Sequence, residues 1–184
     1  MNIFFTAPYS GKKLYQKEYD LIRKILDSTR EITLISPEKG NYLHILPVSD
    51  PIRAQADRRI HYEAIRRGIE WADAVIFEVS EECFQLGHEM TLAIQNKKHV
   101  LCLSLHENFE RKIFSKYFHG ARYTKDTLKP IIHKFLARCR KENLPNRFNF
   151  FLSHSQLRYL ELASAQKGMN ASEYLRKLLD EDRR

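Results

Sequence analysis

Residues 70–103, EWADAVIFEVSEECFQLGHEMTLAIQNKKHVLCL, hold two carboxylates in settings that suit acid, base or nucleophilic chemistry. Ala74-Val75-Ile76-Phe77 is a continuous apolar run, the mark of a parallel strand covered on both faces. Glu78 follows at its C-terminal end. Glu89 lies just past Gly87, at the expected first turn of a helix carrying Met90, Ala93 and Ile94 on one face. A carboxylate in a first turn is favoured in its anionic form by the helix dipole. In open α/β sheets, ligands bind beyond the carboxyl ends of the strands. The pattern therefore brings Glu78 and Glu89 to one place. Taken singly, Glu78 also reads as a solvated loop residue, and Glu89 as a simple favourable charge at a helix N-terminus.

The elements that must position these groups are legible from periodicity. Residues 2–7 read as a first strand, and Pro8-Tyr9-Ser10-Gly11 as a turn into a helix over 12–28, striped by Leu14, Leu21, Ile22, Ile25 and Leu26. Residues 31–35 form a second strand. The segment 36–51, with Pro37, Gly40, Pro47 and Pro51, is long enough to expect a functional lid. A helix over 54–70 leads to the strand at Ala74. A strand over 100–105, a short helix near 109–117, an extended piece at 121–124 and a helix over 127–141 complete the pattern. Alternating strands and helices imply a parallel sheet with helices on both faces.

Composition narrows the classes. At 184 residues and 43% hydrophobic, the chain can hold one full domain and a small second one. No run approaches the ~18 apolar residues of a membrane span. Met1-Asn2-Ile3-Phe4-Phe5 lacks the basic leader of a signal peptide. Cys83, Cys102 and Cys139 form no CxxC pair, so a reduced, cytoplasmic protein is expected. The eight histidines give no HxxxH spacing, and no metal or other cofactor is expected. The net charge of +8 is uneven: residues 1–110 carry 14 basic and 16 acidic side chains, residues 111–184 carry 17 and 7. That basic excess reads equally as a nucleic-acid footprint or a soluble basic surface.

Residues 2–140 resemble the nucleoside 2-deoxyribosyltransferase superfamily, which includes deoxynucleoside-monophosphate N-glycosidases. The likeness rests on IFFTAPYSG, Trp71-Ala72-Asp73-Ala74-Val75-Ile76, Glu78-Val79-Ser80 and Gly87-His88-Glu89-Met90. It implies a flavodoxin-like, doubly wound, five-stranded parallel sheet with Glu89 as nucleophile. It also implies a nucleoside or nucleotide ligand held by residues such as Tyr9, Gly11, Cys83, Gly87 and His88, with Glu78 orienting the sugar or sharing protons. A carboxylate under the anomeric carbon can trap the oxocarbenium-like cation formed as an N-glycosidic bond breaks. Gly87, having no side chain, would let the sugar approach the backbone. The family loop often reads Ser-x-Gly-x-Gly-x-Glu; here Cys83, Gln85 and Gly87 occupy its first three fixed positions. A family tyrosine on the first strand corresponds to Phe4. The acidic residue that the family places upstream of the ADAVI-like strand has no match in register, Asp57 and Glu63 being only nearby. Arg58 and Arg59 are candidates for a phosphate or a solvated face, and Trp71 for a base or the core.

Beyond a polar linker at 143–147, residues 148–184 read as strand, helix, helix. Phe148, Phe150 and Leu152 alternate with Arg147, Asn149 and Phe151, a period of two. Ser153 or Ser155 caps a helix with Leu157, Leu160 and Ala163 inward. Gly168 ends it, and Asn170 or Ser172 caps a second helix with Tyr174, Leu175, Leu178 and Leu179. The unit resembles the ribbon-helix-helix DNA-binding family, most specifically at Gly168-Met169-Asn170-Ala171-Ser172-Glu173-Tyr174-Leu175-Arg176. That resemblance implies a homodimer on double-stranded DNA. Arg147, Asn149 and Phe151 would face the bases, and Asn170 and Ser172 would stand where the second helix meets a phosphate. Two functions follow as expectations: an N-glycosidic-bond enzyme coupled to a DNA-binding dimer, or a catalytically silent, nucleotide-sensing transcriptional regulator.

Overall fold

The computed structural model describes residues 1–142 and 150–182. It divides into two compact units, Met1–Asn143 and Leu144–Arg184.

The first unit is a five-stranded, all-parallel sheet: β1 (Asn2–Thr6), β2 (Thr33–Ile35), β3 (Ala74–Glu78), β4 (His99–Ser104) and β5 (Phe118–Arg122), in the spatial order β2-β1-β3-β4-β5. This is the flavodoxin-like order. The chain winds outward in one direction through β2 and in the other through β3, β4 and β5. Every residue of β3 and β4 is buried, because helices cover both faces, and this is why the two strands read as unbroken apolar runs.

Residue parity assigns the faces. Ile3, Phe5, Ile76, Leu101 and Leu103 pack with Tyr19, Ile22 and Leu26 of α1 (Lys12–Ser28) and with Leu128, Ile132 and Phe135 of α4 (Lys125–Glu142). Phe4, Val75, Phe77, Val100 and Cys102 pack with Ile65 and Ile69 of α2 (Asp57–Trp71) and with Leu86, Met90 and Ala93 of α3 (Phe84–Gln95). Phe4 is thus a core residue of the α2–α3 side, seated against Gly68, where an added Cβ would stand 2.4 Å from its ring. Trp71 packs partly buried against the same cluster and is core. Arg58 and Arg59 are exposed on α2.

Most boundaries shift by one to three residues from the sequence reading, and three differences matter. The expected helix near 109–117 is a single 3-10 turn at Phe109–Arg111, and β5 begins earlier, at Phe118. Gly120 explains the close fit there: a Cβ at this position would lie 2.2 Å from the Glu110 nitrogen, so the turn packs on bare strand backbone. The helix holding Glu89 starts at Phe84, with Cys83 at its N-cap. Glu89 therefore lies in the second turn, not the first, where the helix-end field has largely faded.

In the second unit, α5 (His154–Gln166) opens on a reciprocal capping box between Ser153 and Gln156. Gly168, at φ 64°, turns the chain, and α6 (Ala171–Asp182) follows. Leu160, Ser164 and Tyr174 are its buried residues among those described. Leu157, expected inward, is exposed in this single chain, and so are Leu178, Leu179 and Phe151. Residues 150–152 form no strand within this single chain. Arg147, Phe148 and Asn149, and the proposed linker 143–147, lie outside the described residues. No helix of the described residues is long and apolar enough to cross a membrane.

Candidate functional site

A cavity of about 350 Å³ opens beyond the C-terminal ends of the strands, next to β1. Because β2 and β3 flank β1 and the winding reverses there, the loops after β1 and β3 diverge and leave a crevice, the usual ligand position in this topology. The volume lies within the ~300–1,000 Å³ of small-molecule sites. Its floor is Thr6, Ala7 and Pro8. Tyr9 and Lys12 form one wall, Pro37, Glu38 and Tyr42 a second, and His61, Cys83, Gln85, Leu86 and Glu89 the rest.

Glu89 is the most unusual of these groups. Its residue is 3% exposed. Oε1 accepts a 2.8 Å hydrogen bond from Gln85 Nε2, one helical turn earlier. Oε2 is fully buried with no hydrogen-bond partner. Burial pushes the carboxyl up to about 7, against the smaller opposing effect of Gln85. The expectation that a helix N-terminus holds Glu89 ionised is therefore corrected: desolvation outweighs a dipole that is a turn away.

Glu78 is not part of this cavity. It follows Ile76 by two on β3 and so faces the α1–α4 side, opposite to α3. There it is fully buried, accepting hydrogen bonds from the Ser80 hydroxyl, from the Ser80 nitrogen at 3.2 Å and from the Tyr123 hydroxyl at 3.1 Å. Burial raises it too to about 7. The period-two alternation that made β3 recognisable sends the two carboxylates to opposite layers. Ser80 also accepts from the Leu105 nitrogen, so the Glu78 network ties the ends of β3 and β4 together.

Of the other sequence-derived candidates, Tyr9 and Cys83 line the cavity. Tyr9 is 84% exposed at the rim, with the Lys12 ammonium 5.0 Å from its ring centre. Gly11 is buried elsewhere, and a Cβ there would meet the Tyr19 hydroxyl at 2.2 Å, so it serves packing. Gly87 and His88 are exposed on the outer side of α3; His88 stacks on Tyr62. Among the described residues no three metal-ligating side chains converge.

Four ionisable cavity residues went unnoticed in the sequence. Lys12 and Glu38 form an ion pair at 3.1 Å, with the Glu38 side chain 3% exposed. Tyr42 and His61 are joined at 3.1 Å between the Tyr42 hydroxyl and His61 Nδ1. Burial lowers the His61 pKa and raises that of Tyr42, so both favour their neutral forms. No periodicity links residues 42 and 61, and only the folded chain sets them together.

In the second unit, Asn170 Oδ1 accepts from the Glu173 nitrogen and Glu173 Oε2 accepts from the Asn170 nitrogen, both at 2.9 Å. This reciprocal cap occupies the Asn170 groups that the sequence reading reserved for a phosphate and adds a negative charge beside them. Ser172 is exposed next to it. The basic excess also lies elsewhere than in this unit. Residues 111–142, in the first unit, carry ten basic and two acidic side chains, whereas residues 144–184 carry seven and five.

No protein-family model matches this chain. No curated protein matches it. Among solved structures it is similar to a conserved protein from Enterococcus faecalis V583, at 15% identity and a TM-score of 0.45, over 78% of this chain and 99% of that one. It is also similar to a 2-deoxyribosyltransferase from Bacillus psychrosaccharolyticus, at 16% identity and a TM-score of 0.41, over 70% of this chain and 96% of that one.

Proposed function

We propose that the first unit cleaves or transfers the N-glycosidic bond of a nucleoside or nucleotide, with Glu89 as nucleophile. One observation carries the reading: a buried carboxylate in the cavity beside β1, with one oxygen held by Gln85 and the other unpartnered. The ionised carboxylate attacks the anomeric carbon. The bond to the base breaks with its electron pair going to the base, and a glycosyl ester forms on Glu89. Water or a second base then releases the sugar and restores the carboxylate. Tyr9 at the rim offers a ring on which a base can stack. The test is incubation with a panel of nucleosides and their 5′-monophosphates, reading free base. Glu89→Gln is expected to abolish release, because an amide cannot form the ester; unchanged turnover would remove Glu89 from the mechanism.

The second unit is proposed to pair with a second copy of the chain. Its support is the exposure of Phe151, Leu157, Leu162 and Leu179 on a two-helix unit too small to bury a core of its own. A regulator remains the second reading, favoured by the burial that keeps Glu89 largely protonated below pH 7. In that case nucleotides bind without losing their base, and their binding changes affinity for double-stranded DNA.

A further inference from the structure

We infer that His61 is a catalytic residue of this site, donating through Nε2 the hydrogen bond that allows the base to leave. The inference rests on the glycosidic reading above and supplies what that reading lacks. Glu89 can trap the sugar, but the departing base carries the electron pair of the broken bond and needs a donor. The carboxylates on α2 and at the end of β3 do not serve. Asp57 is exposed at the start of α2. Glu63 is bound by Arg66 and Arg67 at 2.6 and 2.7 Å. Neither lines the cavity, and Glu78 faces the other layer.

His61 does line it, from the second turn of α2. Its ring is fixed by Tyr42, which bonds Nδ1 at 3.1 Å and meets it edge-on at 5.4 Å between ring centres. Burial keeps the Tyr42 hydroxyl protonated, so it can donate to Nδ1. We assign the contact in that direction, which places the ring proton on Nε2, the nitrogen with no hydrogen-bond partner among the described residues. The ionisable groups sharing the cavity with this pair are Glu89, Lys12, Glu38, Tyr9 and Cys83. Lys12 is paired with Glu38, Gln85 donates to Glu89 and Tyr9 stands exposed at the rim, so the donor role is assigned to the half-buried imidazole of His61. A neutral imidazole does not surrender its proton outright. It stabilises the charge that gathers on an acceptor atom of the base as the bond breaks, and the departed base takes its proton from water.

The test exploits leaving groups. N7-methylated purine nucleosides already carry a positive charge on the base and depart without a donor. Wild-type protein, His61→Ala and His61→Gln are assayed on unmodified purine nucleosides and 5′-monophosphates and on their N7-methylated counterparts. His61→Ala is expected to lose roughly 10²-fold in kcat on unmodified substrates while turning over the methylated ones close to the wild-type rate. That retained turnover is also the control for folding. His61→Gln, which keeps an N–H donor, is expected to recover part of the loss. Tyr42→Phe should show the same substrate pattern with a smaller loss, as befits a positioning residue. Equal losses on both substrate classes, or no loss on either, would overturn the role of His61 while leaving that of Glu89 standing. Absence of base release by the wild-type protein from every substrate overturns the glycosidic reading itself, and His61 falls with it.

Discussion

Two buried glutamates with raised pKa values make opposite uses of the same physics. Glu78 satisfies Oε1 three times over and serves as a tie between strand ends. Both leave Oε2 buried without a hydrogen-bond partner, but only Glu89 lines the cavity beside β1. Both must shed a proton as pH rises, and folding resists it. Between the ordinary carboxyl value of 4.5 and about 7, the folded state holds more protons on Glu89 than the unfolded state does. Stability therefore falls across that window, and the penalty is fully present above it, of order 3 kcal/mol if the whole shift is realised. Glu89→Gln removes the ionisation and retains an acceptor for Gln85. It is expected to melt higher than wild type at pH 8, with little difference at pH 4.5, in paired thermal scans. Catalysis should show the inverse: kcat/KM rising with pH through about 7, as the nucleophile ionises. Gly87 offers a cleaner probe of contact with the sugar. A Cβ there meets nothing within 4 Å, so Gly87→Ala should stabilise α3 by about 1 kcal/mol. Lost turnover in a variant at least as stable as wild type would place substrate against that backbone, while full activity would exclude Gly87 from the site.

At the scale of elements, the segment between β2 and α2 decides what the cavity contains. The chain folds it into three short 3-10 turns, at Pro37–Lys39, Tyr42–Ile45 and Pro51–Ala54. Asn41 pins the first of these to β2, accepting from the Ser36 nitrogen and donating to the Leu34 carbonyl, each at 2.9 Å. Arg53 closes the rest by donating to the carbonyls of Leu43, Leu46 and Pro47. Leu46, 1% exposed, anchors it in the interior. These bonds hold Glu38 and Tyr42 in the cavity wall. Arg53→Ala should cost about 1–3 kcal/mol. Amide exchange should accelerate over residues 43–55 before it does in β3 or β4, and KM should rise more than kcat falls. Uniform acceleration across the sheet would mean that the segment is no independent unit.

For the whole molecule, two properties that the sequence joined are separated by the fold. The short helices α5 and α6 expose Leu157, Tyr159, Leu162, Leu178 and Leu179, whereas most of the basic excess belongs to the first unit. Full-length protein is expected to sediment as a dimer at micromolar concentration, and a chain ending at Glu142 as a monomer. A monomeric full-length chain would end the pairing proposal. Duplex binding by counterion displacement follows charge rather than oligomer state. Residues 1–142, with 24 basic and 18 acidic side chains, should keep any weak, strongly salt-dependent affinity of the full chain. Any sequence preference should disappear with residues 147–184. Selection from random duplexes at two salt concentrations measures both. A truncated chain that retains sequence preference would move the reader to the first unit.

The sequence by itself determined the alternation of elements, the parallel sheet and the helix over Lys12–Ser28, because apolar periodicity reports which faces are covered before any partner is known. It also singled out Glu89, through its place between two buried strands. Only the tertiary structure decided what surrounds that carboxylate. The start of α3 at Phe84 moved Glu89 out of the first turn, since a cap at Cys83 leaves no local sequence signal of Ser, Asp or Asn type. Parity along β3 sent Glu78 to the other face. The ion pair of Lys12 with Glu38 and the contact of Tyr42 with His61 bring together segments whose separation in sequence follows no period. Such meetings are fixed by how the sheet and helices pack, and a one-dimensional pattern carries no trace of them.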